Sequence, residues 1–273
     1  MTAPVKYDEE LRQHITAQLC AAGNENPLNE ARWLLELAAR KRLDAAQLSA
    51  WVKRRCAGEP FQYIVGSVEF YSIELMVGPG VLIPRPETEL LVDLAIEALQ
   101  EAPDGSRVLD LCTGSGAIPL ALAHECPQYS YTGVDISPEA LKWAQLNREA
   151  LRPRDCAFLH GDLFAPIPPQ SRFVLITANP PYVSSQEYSE LDREVKDYEP
   201  RLALEAADDG LALEKAIASQ ARNFLAPSGT LLLEIGDTQG ARMAACLHTL
   251  GYTDVAIHQD LAGKDRIASA RLA

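Results

Sequence analysis

Val108-Leu109-Asp110-Leu111-Cys112-Thr113-Gly114-Ser115-Gly116 is the stretch whose reading decides the fold. A short, almost wholly apolar run gives way to a glycine-rich turn, and a helical pattern follows over residues 116–124. Apolar runs of this length read as strands buried on both faces, as in a parallel sheet under helices. In open sheets of that kind, ligands sit beyond the carboxyl ends of the strands, where the strand order reverses. Gly114 and Gly116 let backbone come close to a ligand where a side chain would collide. Alone the turn is weak evidence, because nucleotide-binding folds and plain tight turns share it.

Working outward, the same alternation continues in both directions. A helix at 87–100 precedes the strand at 107–111. Strands follow at 131–135, 157–160, 173–177 and 230–235, with helices at 138–151, 210–225 and 240–250. Regular alternation of this kind argues an α/β sheet with helices on both faces. The last two strands, at 254–258 and 266–271, are joined by a link around Gly263 too short for a crossover, so the final strand should run antiparallel. Upstream, three amphipathic helices are expected. The first covers 8–22 and is stopped by Gly23. Asn26-Pro27 reads as an N-cap with proline at the first helical position, opening a helix to 41. Asp44 caps the third, which ends near Gly58. Trp33, Leu34 and Leu37 recur at helical spacing, and Trp33 and Trp51 are expected in the core of a small bundle. Alternating residues over 68–77, the turn Gly78-Pro79-Gly80 and a short run at 81–83 predict a β-hairpin. The expected organisation is therefore a helical domain at 1–64, a hairpin linker at 65–85 and an α/β domain at 86–273.

Composition narrows the classes. The 273 residues are 47% hydrophobic and 23% charged, as in ordinary globular proteins. No apolar run reaches the ~20 residues of a membrane span. The opening MTAPVKYDEELRQH lacks a leader pattern, so the cytoplasm is the expected compartment. Six cysteines are scattered without a CxxC pair and the five histidines do not cluster, so no metal is expected. Net charge is −13, with most of the acidic excess after residue 80. Stable nucleic-acid binding usually needs a basic surface, and this balance weighs against it. The basic clusters Arg40-Lys41-Arg42 and Lys53-Arg54-Arg55 read as solvated helix ends.

Two acids extend the glycine turn into a candidate ligand site. Asp135 ends the strand about twenty residues on, where a carboxylate can accept both hydroxyls of a ribose. Asp162, in Gly161-Asp162-Leu163-Phe164, follows the next strand and could accept from an adenine amino group. A dinucleotide site would match the turn and Asp135 equally well. It would not explain Ala178-Asn179-Pro180-Pro181-Tyr182 at the end of the fourth strand. An amide nitrogen is a poor nucleophile, so it must be aimed at its electrophile. The Asn179 side-chain oxygen and the Pro180 carbonyl can accept the two N–H bonds of a primary amide. They also stabilise positive charge developing on that nitrogen. Pro180 and Pro181 stiffen the loop, and Tyr182 offers a flat face for a planar group. Asn179, Pro180 and Tyr182 are thus the candidate catalytic residues. The motif points to a planar nitrogen, and an exocyclic amino group of a flipped base fits it as well as an amide.

Taken together, the chain resembles the release factor glutamine methyltransferase family (HemK/PrmC). The resemblance is carried by Gly58-Glu59-Pro60-Phe61-Gln62-Tyr63-Ile64, Leu82-Ile83-Pro84-Arg85-Pro86-Glu87-Thr88-Glu89 and the glycine turn. It continues through Asp135-Ile136-Ser137, Asn179-Pro180-Pro181-Tyr182, Tyr198-Glu199-Pro200 and Asp260-Leu261-Ala262-Gly263-Lys264-Asp265-Arg266. It implies a seven-stranded, Rossmann-like sheet and S-adenosyl-L-methionine as cofactor, held by Cys112, Thr113, Gly114, Ser115, Gly116, Asp135, Asp162, Leu163 and Asn179. It implies that Arg85, Pro86, Glu87 and Thr88 wall a glutamine pocket with Asn179, Pro180, Pro181 and Tyr182. Peptide chain release factors are the implied protein partners, methylated at the glutamine of a Gly-Gly-Gln loop by a monomeric enzyme whose helical domain helps dock them. A glutamine methyltransferase of a ribosomal protein and an amino methyltransferase of nucleic acid remain as alternatives. Cys112 stands where the family commonly has glycine, so this position is not expected to demand a positive φ.

Overall fold

The computed structural model describes residues 8–206 and 210–273. The first seven residues, half of the opening MTAPVKYDEELRQH, lie outside them. Helices α1 (Glu9–Ala21), α2 (Pro27–Arg40), α3 (Ala45–Cys56) and α4 (Phe61–Val65) come first, followed by strands β1 (Ser67–Phe70) and β2 (Ile73–Met76). Next come α5 (Glu89–Leu99), β3 (Arg107–Leu111), α6 (Ala117–Glu125), β4 (Ser130–Asp135), α7 (Pro138–Leu151), β5 (Cys156–His160) and β6 (Phe173–Ala178). Two short helices, α8 (Ser185–Glu190) and α9 (Arg193–Tyr198), precede α10 (Ala212–Ala221). The chain closes with β7 (Leu225–Glu234), α11 (Gly240–Thr249), β8 (Tyr252–Gln259) and β9 (Asp265–Leu272). No helix among the described residues is long and apolar enough to cross a membrane.

The chain divides into two compact units. The smaller comprises residues up to Ser67 together with Asp192–Tyr198. Asp8 caps α1 by accepting from the Glu10 amide, and Asp44 and Gln47 form a reciprocal capping box on α3. Asn26 departs from expectation. Its side chain makes no capping bond and instead accepts from Asn29, leaving Pro27 alone to open α2. The buried face of α2 is Ala31, Leu34, Leu35 and Ala38, at the i, i+3, i+4, i+7 spacing, and it packs with Ile15, Leu19, Leu48 and Val52. Trp33 stands one helical step off this face, so it is 39% exposed and touches Phe61 edge-on at 6.0 Å. In the basic run ending α3, Lys53 is exposed as expected, but the two arginines are engaged within the unit. Arg54 pairs with Glu59, and the buried Arg55 guanidinium is shared by Glu30 (2.8 Å) and Glu194 (2.7 Å). These ion pairs tie α2, α3 and α9 into one unit.

The larger unit spans Val68–Leu191 and Glu199–Ala273. Its sheet has the order β5-β4-β3-β6-β7-β9-β8, parallel except where β9 runs antiparallel between β7 and β8. Alternate residues of each strand serve opposite faces. Val108, Leu175 and Leu232 face the core shared with α5 and α6, while Leu109, Ile176 and Leu231 face that of α10 and α11. The hairpin is placed differently from the sequence reading. It reverses at Tyr71-Ser72, with Tyr71 at φ +54°, and 81–83 forms no strand. Side chains claim the backbone that a longer ladder would have used. Glu89 accepts the Tyr71 N–H at 2.8 Å, and Glu199 accepts that of Ile83 at 3.0 Å. Gly78 is instead a packing site, since a Cβ there would lie 2.5 Å from the Trp143 ring.

Arg55→Ala would leave Glu30, 8% exposed, without its cation. The expected cost is about 3–5 kcal/mol, read as lost hydrogen-exchange protection across α2 and α3.

Candidate active site

The strand order reverses between β3 and β6, which pair in parallel with Leu111 opposite Ala178. The chain therefore leaves the sheet at Cys112 and at Asn179 side by side. A cavity of about 460 Å³ opens at this edge, within the ~300–1,000 Å³ range of small-molecule sites. Cys112, Thr113, Gly114, Ser115, Asp135, Asp162, Leu163 and Asn179 all line it. Gly116 does not. At the start of α6 with φ +80°, it is fixed by backbone and packing, since a Cβ would lie 2.6 Å from the Phe158 ring. Cys112 corrects another expectation, because its φ is +55°. A non-glycine residue in this left-handed region costs roughly 1–2 kcal/mol, so the turn does favour glycine here.

Asp135 is built into the turn. One carboxylate oxygen accepts the Gly114 N–H and the other the Ser137 N–H, each at 2.8 Å. Burial pushes its carboxyl upward, and donation from the Ser137 and Gly114 amides opposes the shift. Each oxygen keeps a lone pair for a further donor. Ile136, half exposed beside it, and Leu163 give the cavity apolar wall.

A second, smaller pocket of about 40 Å³ shares Leu82, Asn179, Pro181 and Ala203 with the first. Arg85, Pro180, Tyr182 and Glu234 complete the part that matters here. Thr88 faces the larger cavity, whereas Pro86 and Glu87 are exposed and line neither. Arg85 is clasped by Glu199, which also takes the Ile83 N–H, so two separate motif segments meet at one buried carboxylate.

Several residues that hold the site were not singled out from the sequence. Glu234, 1% exposed at the end of β7, accepts the Thr88 hydroxyl at 2.7 Å and the Tyr182 hydroxyl at 3.3 Å. Thr88 in turn accepts from the Asn179 amide nitrogen at 3.1 Å. Gln239 donates to the Tyr182 and Gly210 carbonyls and accepts from Gly236, pinning the loop after β6. The signal for Glu234 was a lone acid closing the leucine run 231–233 at the carboxyl edge of the sheet.

Comparison with known proteins bears on this arrangement. The Methyltransferase small domain model matches residues 88–195, and the PrmC N-terminal domain model matches 10–66. A release factor glutamine methyltransferase of Thermodesulfovibrio yellowstonii is 41% identical over 82% of this chain and 80% of its own. That of Escherichia coli is 38% identical over 98% and 99%. The chain belongs to the release factor glutamine methyltransferase family. Among solved structures, the T. thermophilus 16S rRNA N2 G1207 methyltransferase, in complex with AdoMet and guanosine, shares the fold. Its TM-score is 0.55 at 21% identity, over 76% of this chain and 50% of that one.

Within this release factor glutamine methyltransferase, two positions of one turn separate backbone strain from packing. Gly116→Ala is expected to destabilise the larger unit by about 1–3 kcal/mol. Cys112→Gly is expected to be neutral or stabilising. Urea denaturation of both variants checks the contrast.

Proposed function

We propose that this enzyme transfers a methyl group from S-adenosyl-L-methionine to the side-chain amide nitrogen of the glutamine in the Gly-Gly-Gln loop of peptide chain release factors. The observation that carries the reading is that Asn179 belongs to both pockets, one lined by the glycine turn and one by Pro180 and Tyr182. The residues present suit the cofactor. Asp135 retains acceptor capacity for two ribose hydroxyls, Asp162 is available to an adenine amino group, and Ile136 and Leu163 offer apolar cover. When bound there, the cofactor supplies an electrophilic methyl on a sulfonium.

The chain's own residues do the aiming. With its nitrogen engaged by Thr88, Asn179 keeps its oxygen for the substrate. That oxygen and the Pro180 carbonyl would accept the two N–H bonds of the glutamine amide, directing its remaining electron density towards the larger cavity. Both acceptors favour the positive charge that grows on nitrogen. The cationic amide then sheds a proton readily, so no dedicated base is needed. The Tyr182 ring walls the smaller pocket and suits a planar guest. The net charge of −13 favours a protein partner over a polyanion. The smaller unit is proposed to help engage the release factor, and the enzyme to act as a cytoplasmic monomer.

Incubation with labelled cofactor and a purified release factor, followed by mass spectrometry, should place the label on the glutamine. A label on nucleic acid or on another side chain would overturn the assignment. Asn179→Ala should lower kcat by roughly 10²–10³ while calorimetry still detects cofactor binding.

A further inference from the structure

Asn179 can read an amide only if its own amide faces the right way. Turned by 180°, it would present a donor to the donors of the substrate. Packing barely distinguishes the two orientations, because oxygen and NH₂ are nearly the same size. Hydrogen bonding has to decide.

The deciding groups form a chain. The Thr88 hydroxyl has one proton and gives it to Glu234 at 2.7 Å. It can therefore only accept from Asn179, and it does so from the amide nitrogen at 3.1 Å. Tyr182 gives its proton to the other Glu234 oxygen at 3.3 Å. An ionised carboxylate is an acceptor at both oxygens, so it commits both hydroxyls to point inward. We infer that Glu234, acting through Thr88, locks Asn179 with its oxygen towards the smaller pocket, so that the pocket admits an amide and rejects a carboxylate. This rests on the reaction proposed above. Glu234 and Thr88 are positioning residues.

The lock has a polarity that protons can reverse. A protonated Glu234 would donate to Thr88, Thr88 would donate to Asn179, and the amide would turn its nitrogen towards the substrate. The groups acting on Glu234 are Thr88 from the turn before α5, Tyr182 from the loop after β6, Arg266 from β9 and, through its charge alone, the exposed Glu87. Burial dominates and pushes the carboxyl up to about 7. Thr88, Arg266 and Tyr182 oppose that rise and Glu87 adds to it. The ionised, locking form is lost as pH falls through that value.

The test measures kcat for methylation of a release factor, with both substrates saturating, from about pH 6 to 9. The wild type should lose activity below about 7, and in Glu234→Gln, which cannot ionise, that acid limb should vanish. Asp110 titrates in the same range, so the diagnostic quantity is the part of the limb that disappears in the variant. Thr88→Val should lower kcat by about tenfold or more with little change in KM for the release factor, and Thr88→Ser should restore most of it. Calorimetry should show wild type preferring the release factor over its variant with glutamate at the target position, and Thr88→Val losing that preference. An unchanged acid limb in Glu234→Gln, or unchanged kcat and preference in Thr88→Val, would overturn the lock. Wild-type enzyme that methylates no glutamine would instead sink the proposed reaction, and the lock with it.

Discussion

The parallel pairing of β3 with β6 is the constraint from which the site follows. The two strands are distant in sequence, yet their register sets Leu111 against Ala178. Each strand then releases its chain at the same height on the same edge. Because β4 and β5 extend the sheet one way and β7 to β9 the other, helices diverge from this seam and leave a crevice. A slip of one residue would turn every side chain of a strand to the opposite face. The two leucine-rich cores, 0–1% exposed at Leu109, Leu111, Leu175 and Ile176, make such a slip costly. Hydrophobic burial thus fixes the distance between two loops whose own chemistry is polar.

Polar groups placed at that edge inherit its low dielectric. Asp110 and Glu234 are both pushed up to about 7, by burial first, and each is held by a threonine hydroxyl, Thr177 or Thr88. A hydroxyl beside an ionised acid has no freedom in where its proton points, so a buried carboxylate converts a rotatable group into a fixed acceptor. Other buried polar groups of the unit brace its loops. Asn147 joins Met76 of β2 to the carbonyl of Ser115, and Gln239 joins three loops.

Most of the sheet was legible because parallel strands buried on both faces write themselves as apolar runs. The Asp135, Asp162 and Asn179 positions were legible for the same reason, since each directly follows or ends such a run. The hairpin was misplaced because an alternating pattern does not say where it turns. Glu89 and Glu199, from distant segments, decided that. Trp33 was misjudged because its neighbour Leu34, a helical step away, carries the buried stripe. Cys112 shows the limit of argument from residue type. A thiol in place of glycine gives no reason to expect a left-handed backbone, whereas the turn imposes φ +55° and the fold tolerates the strain. Glu234 escaped notice because a single acid after leucines looks like a strand terminus until Thr88 and Tyr182 are seen to face it.

That strained turn also sits in a negative field. The Cys112 thiol is pushed well above its ordinary range, by burial first and then by the charges of Asp135, Asp110, Glu214 and Asp162. The same charges that disfavour a thiolate favour a cation, and they do so most where water is scarce. A ligand bearing a fixed positive charge would therefore be held here more firmly than an otherwise similar neutral one. Loss of that charge in a reaction would weaken its hold, without any change in shape. For a methyl donor that begins as a sulfonium and ends as a thioether, the acids around the glycine turn would distinguish reagent from product by charge alone. Asp135 can take part while bonded to Gly114 and Ser137, because backbone donors satisfy its oxygens without cancelling their charge.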